Sequence, residues 1–344
     1  LISEIQELLN KIQQAKRPIL ILGGGLKTPD LGSQLDQVLK ILGIPALVTW
    51  AGLDLIASDN PLRVGTFGVY GSRAGNFTIQ NADLVIALGT RLSQNLTGAI
   101  LQSFARDAHI TMVDVDPHEM SKFDGNGINI SQKICARLSL FLHKLEEQSA
   151  KINFPKWDSW KKKIEHWKIT FSIDPSPEPD PRQNCLDAHS FIRNLSQVLP
   201  ENSLIFADTG GNLTWTCNSL NPKRGQRLHS AWNHTPMGYS LPAAIGASMA
   251  HTKKTISCII GDGGLMLCVA ELATVFLHNL PIKIFLFNNH CHGIQKQTLD
   301  TWLEGRKVGV DPGSGVAFPR DWLTLAKSFG LNSITIDQES NLLE

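Results

Sequence analysis

The stretch with the clearest chemical content is Gly261-Asp262-Gly263-Gly264, which follows the apolar run TISCII and precedes a segment with helical spacing that we expect to begin near Leu265. Glycines let a backbone approach a ligand closely, and the free N–H groups at the start of a helix attract an anion. A carboxylate beside such a site would repel a phosphate group unless a cation lay between them. The turn therefore predicts a phosphate-containing ligand together with a divalent cation, for which Mg²⁺ is the natural candidate.

A second oxygen donor follows the next predicted strand. The run PIKIFLFNN ends in Asn288-Asn289, and one predicted helix separates this strand from Asp262. Because the carboxyl ends of parallel strands meet at the edge where open α/β sheets bind ligands, the side chains of Asp262 and Asn289 are expected to lie close together. Both offer the hard oxygen atoms that Mg²⁺ prefers. Each turn alone is a common loop signal, but the pair on one strand–helix–strand unit is far more specific.

The elements that would position these residues alternate along the chain. In residues 1–145 the strand-like runs RPILIL, IPALVTW, NADLVIALG and HITMVDVD are separated by helical patterns. Residues 146–185 break this alternation with a Trp- and Lys-rich helix and the proline-punctuated stretch IDPSPEPDPRQN, which predicts an interdomain linker. In residues 186–344 the strand-like runs SLIFAD, KTISCII and PIKIFLFNN alternate with helices again. The predicted fold class is α/β, with two parallel-sheet domains.

Composition restricts the classes of protein that the chain can represent. Its 344 residues suffice for two domains, 42% are apolar, 18% are charged, and the net charge is +1. This profile is typical of a soluble protein and offers no basic stripe for nucleic acid and no apolar run for a membrane. Six cysteines at irregular spacing, without a Cys-x-x-Cys pair, favour reduced thiols in a cytoplasmic protein. Since the first residue is Leu1, we treat the chain as a possible fragment.

Two longer motifs resemble one family. GDGG, followed after a helix by NN, resembles the thiamine-diphosphate signature, and the whole stretch GDGGLMLCVAELATVFLHNLPIKIFLFNN is similar to that segment of the acetolactate synthase group. TPMGYSLPAAIGA, at 235–247, resembles the group's cofactor-pyrimidine loop, while RPILILGGG, NADLVIALGTRLSQNLTG and MVDVDPHEM resemble its central domain. The resemblance implies a Rossmann-like central domain in residues 1–145 and a thiamine-diphosphate-binding domain, expected to be truncated, in residues 186–344.

The resemblance also implies roles for individual residues. The side chains of Asp262 and Asn289 and the backbone carbonyl of Cys291 would bind Mg²⁺. Met237 would occupy the wedge position beneath the cofactor, and the backbone carbonyl of Thr235 would accept a hydrogen bond from its 4′-amino group. Relatives commonly have Gln-His where this chain has Gly211-Asn212, and often a serine at 264. The cofactor-binding residues implied in this way are Gly210, Gly211, Asn212, Thr235, Met237, Gly261, Gly263, Gly264, Asn289 and Gly293.

The activity implied is the decarboxylation of a small 2-keto acid with carboligation, dependent on thiamine diphosphate and Mg²⁺. In the family a glutamate on an N-terminal pyrimidine-binding domain activates the cofactor, and no residue of this chain matches it. The activating residue is therefore unknown from this sequence and is expected on sequence outside it. Because the family binds its cofactor between subunits, we expect a homodimer or tetramer.

Several alternatives remain open at this point. The central domain could bind FAD, ADP or nothing, since Arg91 matches one arginine of the flavin pattern but Asn95 stands where the second would be. The sequence after Asn289 is similar to acetolactate synthase-like enzymes of sugar or polysaccharide biosynthesis, and Gln297 and Thr298 lie where acetolactate synthases have a tryptophan. A lyase or transferase of that kind is the alternative function. The side chains that could face the reactive carbon of the cofactor are His290, His292, Gln295 and Gln297.

Two further classes of protein are alternatives to a thiamine-diphosphate-dependent enzyme. An NAD-binding dehydrogenase would account for the glycines 23–25 and for the acidic strand end at Asp114 and Asp116, but the chain lacks Gly-x-Gly-x-x-Gly. It also leaves the pairing of Asp262 with Asn289 unexplained. A noncatalytic regulatory relative is the second class, and the intact metal and wedge positions argue against it.

Overall fold

The computed structural model describes residues 1–27, 31–172, 186–251 and 253–337. The chain forms two compact units, Leu1–Ile173 and Asp174–Glu344. Each unit contains one sheet, with six strands in the first and four in the second, and all paired strands run parallel. The predicted α/β class with two parallel-sheet domains is confirmed.

The first unit is a doubly wound sheet with the strand order β3-β2-β1-β4-β5-β6. Its central strands are buried along their whole length, as expected where helices cover both faces of a parallel sheet. The strands are β1 (Pro18–Leu22), β2 (Ala46–Val48), β3 (Arg63–Thr66), β4 (Leu84–Leu88), β5 (His109–Asp114) and β6 (Gln132–Cys135). The helices are α1 (Ile2–Gln14), α2 (Gly32–Leu42), α3 (Arg73–Asn81), α4 (Gln94–Thr97), α5 (Pro117–Ser121), α6 (Leu138–Ser149) and α7 (Asp158–Thr170).

The glycine turn after β1 packs against the turn after β4, where the strand order of the sheet reverses. Gly25 N donates to Gly89 O at 3.0 Å, and a Cβ at Gly23 would overlap the same oxygen. Gly89 itself has a left-handed backbone, with φ +59°. Backbone contact between the two turns therefore accounts for Gly23 and Gly25 without a ligand.

The tryptophan-rich helix of the predicted linker, α7, packs on the first unit. Trp157 Nε1 donates to Ala15 O at 2.9 Å and Trp160 Nε1 donates to Pro18 O at 3.1 Å. These tryptophans therefore anchor α7 beside the start of β1. Residues 173–185 of the predicted linker lie outside the described residues, and the domain limits at 145 and 186 stay a prediction.

The second unit has the strand order β10-β9-β7-β8. Its strands are β7 (Leu204–Ala207), β8 (Arg227–His229), β9 (Ile256–Gly261) and β10 (Ile282–Phe287). Its helices are α8 (Ala188–Val198), α9 (Gly211–Ser219), α10 (Ser240–Ala250), α11 (Asp262–Met266), α12 (Glu271–Leu277), α13 (Gly293–Trp302) and α14 (Trp322–Ser328). An apolar core formed by β7, β9, α10 and α12 holds this unit together, with Leu241, Ile256 and Cys258 fully buried.

Some elements differ from the sequence prediction. The strands β3, β6 and β8 were not predicted, and all three lie at sheet edges, where fewer neighbours cover a strand and the apolar pattern weakens. The single helix expected from near Leu265 is two helices, α11 and α12, and α11 already begins at Asp262. An acidic residue in the first turn favours this earlier start.

Two further findings concern membranes and thiols. In the part of the chain that the structure describes, no helix combines the length and the apolar character needed to cross a bilayer. The described cysteines are all free: Cys135, Cys217, Cys258, Cys268 and Cys291. Burial raises the pKa of both Cys258 and Cys268 to about 12, so these two thiols stay protonated inside the core. Cys185 lies outside the described residues.

Candidate cofactor site

Asp262 lies at the junction of β9 and α11, and it is 2% exposed. Its Oδ1 accepts a hydrogen bond from Gly263 N at 2.7 Å. Its Oδ2 accepts a hydrogen bond from Asn289 N at 3.2 Å, across from β9 to the turn after β10. The adjacent pairing of β9 with β10 produces this contact, which places the backbone of Asn289 beside the Asp262 carboxylate.

The surroundings of the Asp262 carboxylate favour a cation. Burial raises its pKa, although backbone N–H groups of Gly263, His290 and Asn289 lower it. None of the ion pairs among the described residues includes Asp262. Taking a carboxylate out of water costs several kcal/mol, and a cation bound to it would offset this cost. A divalent cation fits this position.

The turn after β10 supplies the remaining predicted ligands. Asn289 Oδ1 accepts from Cys291 N at 3.1 Å, which closes a tight local turn, and a Cβ at Gly293 would lie 3.3 Å from Asn289 Nδ2. Burial, with the charge of Asp262, raises the pKa of the Cys291 thiol. A protonated thiol is a poor metal ligand, so a backbone carbonyl is the better donor at this residue.

A metal at this place would not use a cluster of acidic or imidazole side chains. Among the described ranges, no group of three or more His, Cys, Asp or Glu side chains could hold a metal ion. The predicted ligands would instead offer a carboxylate from Asp262, an amide oxygen from Asn289 and the backbone carbonyl of Cys291. Such all-oxygen sets, completed by phosphate oxygens or water, suit Mg²⁺.

Asp208 is a site residue that the sequence analysis missed. It follows β7 directly and is 1% exposed. Its Oδ2 accepts a hydrogen bond from Gly238 N at 2.9 Å and its Oδ1 accepts one from Tyr239 N at 3.2 Å. Asp208 therefore connects the end of β7 to the TPMGY loop, residues 235–239. Burial raises its pKa, although backbone N–H groups oppose this shift. The available signal was an aspartate directly after a buried strand, the same signal that identified Asp262.

The contact between Asp208 and Gly264 explains the glycine at 264. A Cβ at Gly264 would overlap Asp208 Oδ2. A serine at this position would therefore require the Asp208 carboxylate to move. Gly264 is a consequence of how Asp208 holds the neighbouring loop.

The residues after β7 that are predicted to bind the diphosphate lie around the side-chain amide of Asn212. Asn212 is buried in the first turn of α9, and its Nδ2 donates to Asp208 O at 2.8 Å. Its Oδ1 would lie 3.5 Å from a Cβ at Gly210 and 3.2 Å from one at Gly261. A Cβ at Gly211 would instead meet the Trp215 ring at 2.8 Å. The structure thus brings Gly210, Asn212 and Gly261 together at neighbouring strand ends.

The TPMGY loop meets the glycine turn through Met237. A Cβ at Gly263 would lie 3.2 Å from Met237 Cε and would overlap His292 Nδ1. Thr235 lies exposed at the start of the same loop with a left-handed backbone, φ 42°, and its side chain makes no hydrogen bond with any described residue. Met237 therefore borders the glycine turn, while the role of the Thr235 backbone carbonyl stays a prediction.

Comparison with known proteins identifies the family of the chain. Residues 5–145 match the family model for the thiamine pyrophosphate enzyme central domain, and residues 208–344 match the model for the C-terminal TPP binding domain. The chain belongs to the thiamine pyrophosphate enzyme family. The predicted family and its two domain types are confirmed.

Named relatives place this thiamine pyrophosphate family member near the acetolactate synthases. The chain is 28% identical to a probable acetolactate synthase large subunit of Methanococcus aeolicus, over 99% of the chain and 57% of that protein. It is 29% identical to the acetolactate synthase large subunit of Cyanidium caldarium, with the same two coverages. It is 30% identical to that of Pyropia yezoensis, over 96% of the chain and 54% of the relative. The chain spans just over half the length of these relatives.

Proposed function

We propose that this chain binds thiamine diphosphate through Mg²⁺ in its second unit, and that the complete protein decarboxylates a 2-keto acid and joins the product to a second carbonyl compound, as an acetolactate synthase does. The observation that carries the proposal is the buried Asp262 carboxylate in contact with the Asn289 turn, inside a domain that matches the TPP binding family.

Each predicted residue has a task in this proposal. The Asp262 carboxylate, the Asn289 amide oxygen and the Cys291 carbonyl hold the cation, and Met237 supports the cofactor from below. Thiamine diphosphate, when bound, supplies the nucleophilic carbon that lets a 2-keto acid lose CO₂. Thr235 contributes its backbone carbonyl. Glycines have no side chain and therefore let the diphosphate approach the backbone closely. The glycines proposed for this role are Gly210, Gly211, Gly261, Gly263, Gly264 and Gly293. The side-chain amide of Asn212 is proposed to lie beside the diphosphate as well.

The proposal extends to assembly and location. Because the family binds its cofactor between subunits, we propose that the functional form is a homodimer or tetramer, in the cytoplasm, acting on a small-molecule substrate. The activating carboxylate is expected outside the sequence given. The acceptor decides between an acetolactate synthase and a lyase or transferase of sugar or polysaccharide biosynthesis. The second candidate rests on Gln297 and Thr298, which lie where acetolactate synthases have a tryptophan. Product analysis with pyruvate alone, and with pyruvate plus an aldehyde sugar, distinguishes them.

The first unit has a weaker case for a ligand. Arg91, the one arginine that matches the flavin pattern, already forms an ion pair from its Nε to Glu119 Oε1 at 2.8 Å. Backbone packing accounts for the glycine turn after β1, which removes the main support for an NAD-binding dehydrogenase. The visible absorption spectrum of the purified protein tests whether FAD is bound.

Calorimetric titration of the full-length protein with thiamine diphosphate, with and without Mg²⁺, tests the main proposal. Asp262→Asn keeps the size of the side chain but removes its charge. We expect it to weaken Mg²⁺-dependent binding by about 100-fold, because losing a direct metal ligand should cost at least as much affinity as losing a residue that hydrogen-bonds to a ligand.

Asp300→Asn is the matched control, since Asp300 is exposed on α13 and should leave binding unchanged. If Asp262→Asn binds as the wild type does, Asp262 does not hold the metal. If the wild type does not respond to Mg²⁺, the proposed cofactor site is wrong.

A further inference from the structure

His292 is held firmly beside the predicted metal turn. It precedes α13, and its backbone N donates to Val310 O at 2.8 Å. Its ring packs against Phe318, with the ring centroids 5.8 Å apart. These two contacts fix both the backbone and the ring, so the imidazole has a defined position.

One ring nitrogen of His292 lacks a partner. His292 Nδ1 is buried and makes no hydrogen bond. It lies directly over Gly263, where an added Cβ would overlap it, and Met237 Cε borders the same space. An unsatisfied buried polar atom costs about 1–3 kcal/mol, so a native structure rarely leaves one without a use. This nitrogen faces the glycine that follows the predicted metal ligand Asp262.

The neighbouring histidine differs. His290 is exposed, and its Nε2 lies 3.2 Å from Asn288 Nδ2, within hydrogen-bond distance. His290 is therefore already engaged within its own turn. Of the two histidines beside Asn289, His292 is the one whose free nitrogen is directed at the glycine turn.

We propose that His292 Nδ1 donates a hydrogen bond to a phosphate oxygen of the bound diphosphate. This inference rests on the proposed function. The imidazole tautomer that carries its proton on Nδ1 is a donor, and a bond to an anionic oxygen in a buried site is stronger than one between neutral groups. The other roles implied for this turn use backbone groups or metal ligands. His292 adds a side-chain donor, and Gly263 provides the room for it.

The test is calorimetric titration of the full-length protein with two probes in the presence of Mg²⁺: thiamine diphosphate and inorganic pyrophosphate. His292→Leu removes the donor and keeps an apolar side chain of comparable size. We expect this variant to bind both probes about 10- to 100-fold more weakly, which is the range for a lost hydrogen bond to a charged group. The ³¹P resonance of bound thiamine diphosphate should shift in the same variant.

Two polar variants separate the hydrogen bond from packing. His292→Asn places an N–H₂ group near the position of Nδ1 and should restore most of the affinity, whereas His292→Gln places it further out and should restore less. His278→Leu makes the same change at an exposed histidine of the same unit, after α12, and should leave binding unchanged. If His292→Leu proves unstable, the comparison of Asn with Gln decides the question.

The possible results distinguish this inference from the proposed function. Wild-type affinity in His292→Leu, or equal affinity in the Asn and Gln variants, overturns the role of His292. If His292→Leu keeps its affinity but Asp262→Asn no longer binds thiamine diphosphate, the proposed function stands and only the role of His292 is wrong. If the wild-type protein binds neither probe with Mg²⁺, both proposals fall.

Discussion

The glycine turns after β1 and after β9 give the same sequence signal, a glycine cluster at the end of a buried strand, but they use it differently. In the first unit the glycines allow two stretches of backbone to touch, since Gly25 N donates to Gly89 O at 3.0 Å and Gly23 abuts that oxygen. At the point where the strand order of this sheet reverses, these glycines contact the protein's own backbone.

In the second unit the glycines make room for polar side chains. A Cβ at Gly263 would overlap His292 Nδ1, and one at Gly264 would overlap Asp208 Oδ2. The comparison shows that a glycine cluster alone does not identify a binding site. The neighbouring groups decide, and charged or unpartnered side chains beside a glycine favour a ligand site.

The strongest test of the first turn is Gly23→Ala. The added methyl group would overlap Gly89 O, a backbone atom that cannot move independently, so we expect the free energy of unfolding to fall by about 3 kcal/mol. Urea unfolding followed by circular dichroism measures the change. Gly32→Ala is the control, because nothing lies within 4 Å of a Cβ at that position. Equal stability of the two variants would show that the contact between the turns is not tight.

The corresponding test of the second turn is Gly264→Ala. The methyl group would displace the Asp208 carboxylate and loosen its bonds to Gly238 and Tyr239, so we expect a loss of about 2 kcal/mol in stability and weaker cofactor binding. Unlike Gly23→Ala, this variant should change both measurements. Gly246→Ala, in the open middle of α10, should be neutral or slightly stabilising. If Gly264→Ala loses stability but binds the cofactor with full affinity, Asp208 stabilises the fold and has no role in cofactor binding.

The smallest expected effect is the pH dependence of Asp208. Because burial raises its folded pKa above the unfolded value, its protonated form contributes stability that is fully present below the ordinary aspartate range and is lost as pH rises through the raised pKa. We expect Asp208→Asn to lower the free energy of unfolding by about 1–2 kcal/mol, and this variant has no carboxyl group at position 208 to titrate.

The difference in unfolding free energy between wild type and Asp208→Asn should therefore be largest in acid and shrink as pH rises. Urea unfolding of both proteins across a pH series measures it. A difference that grows with pH would mean that the backbone N–H groups outweigh burial and hold the carboxylate ionised.

The fold class and the contact between Asp262 and the Asn289 turn could both be predicted from the sequence. Both follow from regular elements, since buried strands alternating with helices form parallel sheets, and residues just after neighbouring strands share one edge. Motif resemblance added the loop around Met237, and the structure brings that side chain to Gly263.

The groups that surround each glycine could not be predicted in this way and are seen only in the folded protein. The contact of Asp208 with Gly238 and Gly264, and the position of His292 Nδ1 over Gly263, join residues from separate turns. Spacing along the chain cannot reveal such contacts, because they depend on side-chain direction and on how closely the loops pack. For the same reason, the two glycine turns look alike in the sequence and differ in the folded protein.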